Sequence, residues 1–327
     1  MRSELRLGAL LWNQYTDWPS YLEAGKRADR LGFHSLWAWD HLYPIVGFDR
    51  GPFFEGYMTL AAWAQATERI RIGLMVGANP FRNPALVAKM ATTLDHISNG
   101  RAYLGIGSAW NETEARAFGI EFGESPGERL RWLREALPVM RGMLRGEEPS
   151  ASGPRYFMES VRNDPPPIQP HLPLLIGGGG ERFTLRLVAR YGDANNIGFA
   201  AGLEGFLRKE AALRRHCREV GRDEREIERT LNTGPIIIRD SAEDAVRVLQ
   251  QTYEHNGRAR TWAGRPPSAQ PTGTPEHVVE TLLPFVQHGY HHVVIGFPAP
   301  YDQETMARMI EEVQPKLQAA LDPVPAS

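Results

Sequence analysis

Short apolar or β-branched runs alternate along this chain with longer segments of helical period. The runs fall at residues 5–11, 35–39, 70–76, 101–106, 173–176, 193–198, 233–238 and 291–296. Most are apolar on both alternations, which suits strands covered on both faces of a parallel sheet. Between the first two, Leu22, Gly25, Ala28 and Leu31 recur at three-residue spacing and Gly32 supplies a left-handed stop. Pro84 opens a helix whose Leu86, Met90, Leu94 and Ile97 share one face, and Asn99-Gly100 turns the chain back. Thr274-Pro275-Glu276 reads as an N-cap with Pro at the first helical position, for a helix reaching His288 and stopping at Gly289. Eight such units fit a closed barrel or an open doubly wound sheet. The count of eight, with no shift in composition to mark a second domain, favours one α/β domain over residues 1–327: a single (β/α)8 TIM barrel.

Two connections are too long for simple units. They are insertions after strands four and seven, at about 146–172 and about 256–273. The first carries Pro165-Pro166-Pro167 and Pro170; the second is rich in Arg, Pro and Gly, with Arg258, Arg260, Trp262 and Arg265. Such insertions are expected as lids or walls over a barrel site, with solvated surface loops as the alternative. Pro138 should kink or split the helical pattern over 128–145. The tail, 322–327, should fray.

The charge balance, 37 Lys+Arg against 39 Asp+Glu, gives no reason to expect nucleic acid or an anionic membrane as partner. The single cysteine, Cys217, excludes an internal disulfide and a Cys-rich metal site, and its mid-helix setting suits a buried spacer. The start, MRSELRLGALLW, does not fit a signal peptide, and no stretch is long enough to span a bilayer, so a cytoplasmic protein is expected.

In a barrel the active site is built from residues just after each strand, on one face. That rule selects Trp12 and Asn13, Asp40 and His41, Ala78 and Asn79, then Gly107, Ser108, Trp110 and Asn111. Strands six, seven and eight add Asn195 and Asn196, Arg239, and Phe297. After strand five comes Gly177-Gly178-Gly179-Gly180, then Glu181 and Arg182 at the expected start of a helix over 181–191. Glycines let backbone approach an anion, and amides opening a helix attract negative charge, so a phosphate is the expected occupant. The alternative is a tight turn without a ligand. Asp40-His41 is the leading acid/base pair, since a carboxylate beside an imidazole can orient or charge it; a loop hydrogen-bond pair is the alternative. Trp12, Trp37, Trp39 and Trp110 suggest an aromatic-walled pocket or, more simply, core and rim packing.

Other constellations fail. His291-His292 point to opposite faces of a strand, and no His-x-His or Glu-x-x-His pair is present, so no metal site is expected. No Gly-x-Ser-x-Gly elbow occurs, which removes a serine hydrolase. The residues themselves reach a barrel that binds a phosphorylated ligand and leave the reaction open.

Several segments carry a resemblance further: Leu36-Trp37-Ala38-Trp39-Asp40-His41, Asn83-Pro84-Ala85-Leu86-Val87-Ala88-Lys89-Met90, and Thr93-Leu94-Asp95-His96-Ile97-Ser98-Asn99-Gly100-Arg101. With them go Leu104-Gly105-Ile106-Gly107, Leu175-Ile176-Gly177-Gly178-Gly179-Gly180 and Gly273-Thr274-Pro275-Glu276. Together they resemble the bacterial luciferase-like flavin superfamily, in its branch of coenzyme F420-dependent oxidoreductases. The resemblance implies a (β/α)8 barrel with a deazaflavin across its mouth. Its phosphate would sit at Gly178, Gly179, Gly180, Glu181 and Arg182. Its ring would lie near Met75, Val76, Ala78 and Asn79 and near Gly107, Ser108, Trp110 and Asn111. A non-proline cis peptide is common in the family at the end of strand three, by position Met75-Val76 or an adjacent bond. Asp40 and His41 match the family's cofactor-contacting carboxylate and proton-transfer histidine, with Asp40 expected to orient His41. The family is often dimeric through the early barrel helices.

Two departures matter. Sugar-phosphate dehydrogenases of this branch carry a glutamate base where Trp110 stands, which argues against sugar-phosphate oxidation. The family's common Gly-Trp pair is Ala109-Trp110 here. The reading implied is hydride transfer between F420 and a small organic substrate. The alternatives are an FMNH2-dependent monooxygenase, with FMN in place of F420, and a flavin-binding relative without catalysis.

Overall fold

The computed structural model describes residues 4–257 and 271–321. Arg258, Arg260, Trp262 and Arg265, and the tail expected to fray, lie outside the described residues. The strands are β1 (Arg6–Leu11), β2 (Ser35–Ala38), β3 (Arg71–Leu74), β4 (Gly77–Ala78), β5 (Leu104–Gly107), β6 (Ala151–Ser152), β7 (Phe157–Met158), β8 (Leu174–Gly177), β9 (Ala194–Gly198), β10 (Glu228–Pro235) and β11 (His292–Phe297). The helices are α1 (Trp18–Leu31), α2 (Gly56–Ala66), α3 (Pro84–Ile97), α4 (Glu112–Ala117), α5 (Pro126–Leu144), α6 (Thr184–Tyr191), α7 (Gly202–Val220), α8 (Ala242–His255), α9 (Pro275–Gln287), α10 (Gln303–Arg308) and α11 (Gln314–Ala319).

One parallel sheet runs in the order β3-β2-β1-β11-β10-β9-β8-β5-β4. β4 continues the path of β3 after an interruption at Met75 and Val76, so the two share one barrel position. The ring closes through a parallel bridge between Ile72 and Ala102, where the Tyr103 amide donates to the Ile72 carbonyl at 2.8 Å. This is the expected eight-unit barrel. Its interior holds Leu10, Trp37, Met75, Tyr103, Leu175 and Val294, all buried; a second, larger apolar layer lies between strands and helices.

Local signals explain most helix ends. Asp17 accepts from the Ser20 amide to cap α1, and Gly32 ends that helix with φ of 92°. Thr274 caps α9, with Pro275 at its start. α1 and α2 approach so closely that a Cβ on Gly25 would lie 2.3 Å from Trp63 Nε1, which only glycine accommodates.

Four expectations need correction. Pro138 does not split its helix: α5 runs unbroken through it, since Leu137, Val139 and Met140 beside it are almost fully buried. Packing there outweighs a lost hydrogen bond. The seventh strand is Glu228–Pro235, not 233–238. Its polar opening, Glu228-Arg229-Thr230, hid it, while the apolar Ile236–Ile238 run follows the strand and bridges to Gly273. The helix after the glycine run begins at Thr184, with 181–183 forming a turn before it. The first insertion, finally, is packed on the barrel's helices: its hairpin β6–β7 meets α5, where the Arg155 amide donates to Glu135, and residues 163–169 run down the outside of α3. Lys89 donates to the Asp164 carbonyl, His96 to that of Pro166 at 2.8 Å, and Asn163 to Thr92 Oγ1 at 2.9 Å. On the C-terminal side of the strands it contributes Tyr156, whose hydroxyl receives a hydrogen bond from Asn79 Nδ2 at 3.1 Å, and on the N-terminal side Gln169, which accepts from Arg71 at 2.7 Å.

Candidate active site

The C-terminal strand ends are joined by side-chain clamps. Asn13, after β1, is fully buried; its Nδ2 donates to the carbonyls of Trp39 (3.1 Å) and Phe54 (2.6 Å). Gln14 donates to the Val46 carbonyl and accepts from the amides of Ile45 and Val46, which fixes the loop after His41. Both residues stabilise a frame rather than present chemistry.

His41 is oriented by Glu114, not by Asp40. His41 Nδ1 lies 2.5 Å from Glu114 Oε1, and Glu114 Oε2 accepts the Leu42 amide at 2.7 Å. The Glu114 side chain is 1% exposed and that of His41 13%. A carboxylate that already receives a backbone amide accepts from Nδ1 as well, which leaves Nε2 as the ring atom free to take or give a proton. Among the described residues His41 Nε2 has no partner. Trp110 covers the ring edge-on at 5.4 Å between centroids, and Phe53 stands at 6.5 Å.

Asp40 is spent elsewhere. Arg82 binds it through both guanidinium nitrogens, and the Ala78 amide donates to Oδ2 at 2.8 Å. Arg82 also reaches Glu55 at 2.7 Å and lies over the Tyr57 ring at 5.0 Å. Burial opposes the Arg82 charge, but Asp40 outweighs it and holds the guanidinium pKa above its ordinary value. The expected orientation of His41 by Asp40 fails because a two-pronged, buried arginine partner competes better for that carboxylate.

Between these groups the barrel axis is capped by Val76. The Met75-Val76 peptide is cis, as the resemblance implied. Val76 sits over β5 and β8: a Cβ on Gly107 would lie 2.8 Å, and one on Gly177 2.6 Å, from Val76 Cγ2. Both strands need glycine there to admit it. Met75, Ala78 and Asn79 are buried beside it. Ser108 is half-buried at the rim, Trp110 is 64% exposed, and Asn111 accepts from the Thr113 amide to cap α4. Ala109 has φ of 63°, a left-handed backbone that a Cβ disfavours by about 1–2 kcal/mol.

The glycine run leads into α6. The Gly178 amide is already used, donating to the Asn196 carbonyl at 3.0 Å, and Asn195 Nδ2 donates to the Gly178 carbonyl. Gly178 therefore shapes the turn and offers no amide to an anion. Those of Gly179, Gly180, Glu181 and Arg182 have no acceptor among the described residues. Lys209 Nζ donates to the Gly179 carbonyl at 2.9 Å and stands 3.8 Å from Glu181. His216 Nε2 donates to the Glu181 carbonyl at 2.9 Å, tying α7 to the turn.

Some predicted residues do not join the site. Trp37 lies in the barrel interior, donating to Ser35 Oγ, so it lines no pocket. Arg239 pairs with Asp302 and Glu304. Phe297 packs on Phe33, and His292 binds Ser35 and Glu228 at the opposite end of the barrel. Trp12 and Trp39 do meet, at 4.8 Å. Sequence reasoning missed Glu114, Arg82 and Lys209. Glu114 stands three residues after the cap Asn111, so a capping rule would assign it to the helix start and hide its contact with His41.

The family described as luciferase-like monooxygenase matches residues 8–292. An uncharacterized protein of Mycobacterium tuberculosis is 34% identical over 139 residues, 42% of this chain and 48% of that protein, so the match spans about half of that relative's length. An F420-dependent glucose-6-phosphate dehydrogenase of Amycolatopsis mediterranei is 26% identical over 321 residues, covering 91% of this chain and 94% of the relative. Among solved structures, an F420-dependent secondary alcohol dehydrogenase in complex with an F420-acetone adduct superposes with a TM-score of 0.80 at 21% identity, over 96% of this chain and 99% of that one.

Proposed function

This chain belongs to the luciferase-like monooxygenase family, and from that premise we propose that it is an oxidoreductase moving hydride between coenzyme F420 and a small organic substrate. The observation that carries the reading is the His41–Glu114 pair at the strand ends, with Nε2 unpartnered among the described residues and the ring beside Trp110. The residues present suit the cofactor. The amides of Gly179, Gly180, Glu181 and Arg182 have no acceptor among the described residues, Lys209 adds a positive charge beside them, and a phosphate supplies what they lack. A deazaflavin carries carbon in place of the hydride-bearing ring nitrogen of flavin, so when bound it transfers hydride and reacts poorly with oxygen.

The chain's own residues then have three tasks. Met75, Val76, Ala78 and Asn79, with Gly107, Ser108, Trp110 and Asn111, form the bed for the ring and exclude water from it. Asp40, locked by Arg82, keeps that bed in place through the Ala78 amide. His41 Nε2 gives a proton to the substrate oxygen, or takes one from it, while Glu114 steadies the charge on the imidazole. Trp110 in place of a glutamate argues against sugar-phosphate substrates. The reading carries with it a cytoplasmic location and a homodimer. Among the described residues no helix is long and apolar enough to cross a membrane.

The test is equilibrium titration of the purified protein with F420 and with FMN, followed by cofactor fluorescence. Tight F420 binding with weak FMN binding is expected. Tight binding of FMN alone would favour the second reading, an FMN-dependent monooxygenase, to which the family's description points. Turnover unchanged in His41→Ala would favour a third, a flavin-binding relative without this catalysis.

A further inference from the structure

α5 and α6 follow β5 and β8, so both helices begin at the barrel mouth and run down its outside. Between them lies a groove of about 450 Å³. Arg131, Arg134, Arg186 and Arg190 line it, over a floor that includes Leu130 and Phe183, and no acidic side chain is among its lining residues. None of these four arginines closes a salt bridge among the described residues. The charge of Arg186 is felt by Glu219, but that carboxylate is hydrogen-bonded to His216. A neighbouring arginine-rich cleft is different: there Arg141 and His171 converge on Asp193 at 2.8 and 2.9 Å, and Arg222 meets Glu226 at 3.1 Å. Four like charges gathered over an apolar floor, in a protein of net charge -2, mark a place where the counter-charge comes from outside.

We propose that this groove binds the acidic arm of the cofactor, a chain of carboxylates leading away from the phosphate. The inference rests on the F420 reading above. Continuity supports it: Phe183, at the mouth end of the groove, directly follows the turn whose amides await that phosphate. Scale supports it too. From Phe183 to Tyr191 the helix rises about 12 Å, a span that three or four residues of extended chain cover. The charges are complementary, and the N-terminus of α6, which has no side-chain cap and no acidic residue in its first turn, adds positive potential at the entrance.

The experiment compares three ligands by fluorescence titration: the deazaflavin riboside without phosphate or arm, F420 with a short glutamate arm, and F420 with a long one. Wild-type protein should bind the long-armed form about ten-fold more tightly than the short-armed one, as a few exposed ion pairs allow. That advantage should shrink with added salt. In the double variant R131E/R186E the advantage should vanish while riboside affinity stays the same, which also reports an intact fold. R131K/R186K should keep most of it. Equal affinity for both arms in the wild type, or an undiminished advantage in R131E/R186E, would overturn the groove assignment while leaving the cofactor reading intact. Failure of all three ligands to bind would remove the cofactor reading, and the groove assignment with it.

Discussion

Arg82 grips Asp40 with two hydrogen bonds, Nη1 to Oδ2 at 2.7 Å and Nη2 to Oδ1 at 3.0 Å, and both side chains are largely buried. Asp40 in turn holds the Ala78 amide, so the pair ties the end of β2 to β4. Removing one partner of a buried pair leaves the other charge uncompensated. Arg82→Met should therefore cost about 3–5 kcal/mol of stability, read as a lower urea midpoint. An Arg82→Met protein as stable as the wild type would show that the pair does not hold the frame.

Glu114 acts on His41 by position and charge. Glu114→Gln keeps an acceptor for the Leu42 amide and removes the negative charge facing Nδ1. With cofactor bound, its turnover should fall about ten-fold, with F420 affinity little changed. His41→Asn should lose about a hundred-fold or more in kcat, the low end of general acid–base contributions. Stopped-flow measurement of the hydride step separates these effects from binding. Equal kcat in Glu114→Gln and wild type would reduce Glu114 to a loop clamp.

That pair also shows what the sequence makes legible. The bounds of α1 and α3 could be read because their signals are local: Pro84 opens α3, and Gly32 and Asn99-Gly100 end the two helices. The face expected for α3 is wrong in part, since Leu86 is 52% exposed while Val87, Ala88 and Ala91 are buried against the barrel. The barrel followed from counting such units. His41 could be singled out by its place after β2. Its partner could not, because Glu114 is 73 residues away and its local pattern already has a use at the start of α4. Adjacent Asp40 was the natural choice, but its own partner, Arg82, is 42 residues away. Side-chain pairing across barrel units is set by the closed ring, which no local window contains.

Val76 and the strand-end glycines make a third prediction. A Cβ at position 177 would meet Val76 Cγ2 at 2.6 Å and Cγ1 at 3.0 Å. Gly177→Ala should cost about 1–3 kcal/mol by overpacking. In the double variant Val76→Ala/Gly177→Ala the clash disappears, so the two costs should fall short of additive by at least about 1 kcal/mol. A double-mutant cycle in urea gives the coupling directly. Additive costs would mean that the strands move apart to absorb the methyl.

At the other end of the barrel, His34 and Glu228 make the fold acid-sensitive over two overlapping windows. Burial, with the nearby charges of His292 and Arg6, lowers the His34 pKa from 6.5 to about 3. Burial works against the Glu228 carboxylate, but the hydrogen bond and charge of His292, then the Arg6 charge and the Tyr103 hydroxyl, outweigh it and hold its pKa at about 2. In both cases the folded pKa lies below the unfolded one, so the unfolded chain binds the extra proton and stability falls on acidification. The His34 share is fully present above pH 6.5 and is lost as pH falls toward 3; the Glu228 share goes between 4.5 and 2. Each unmatched proton contributes a slope of about 1.4 kcal/mol per pH unit. Unfolding free energy should thus begin to drop near pH 6, before carboxylates titrate. His34→Phe keeps an aromatic edge against His292, which it meets at 5.2 Å, and removes the titrating ring. Its stability should be flatter from pH 6.5 to 4.5, with His291, also lowered by burial, supplying what slope remains. Urea melts of both proteins across that range are the measurement, and parallel curves would assign the early acid loss to another group.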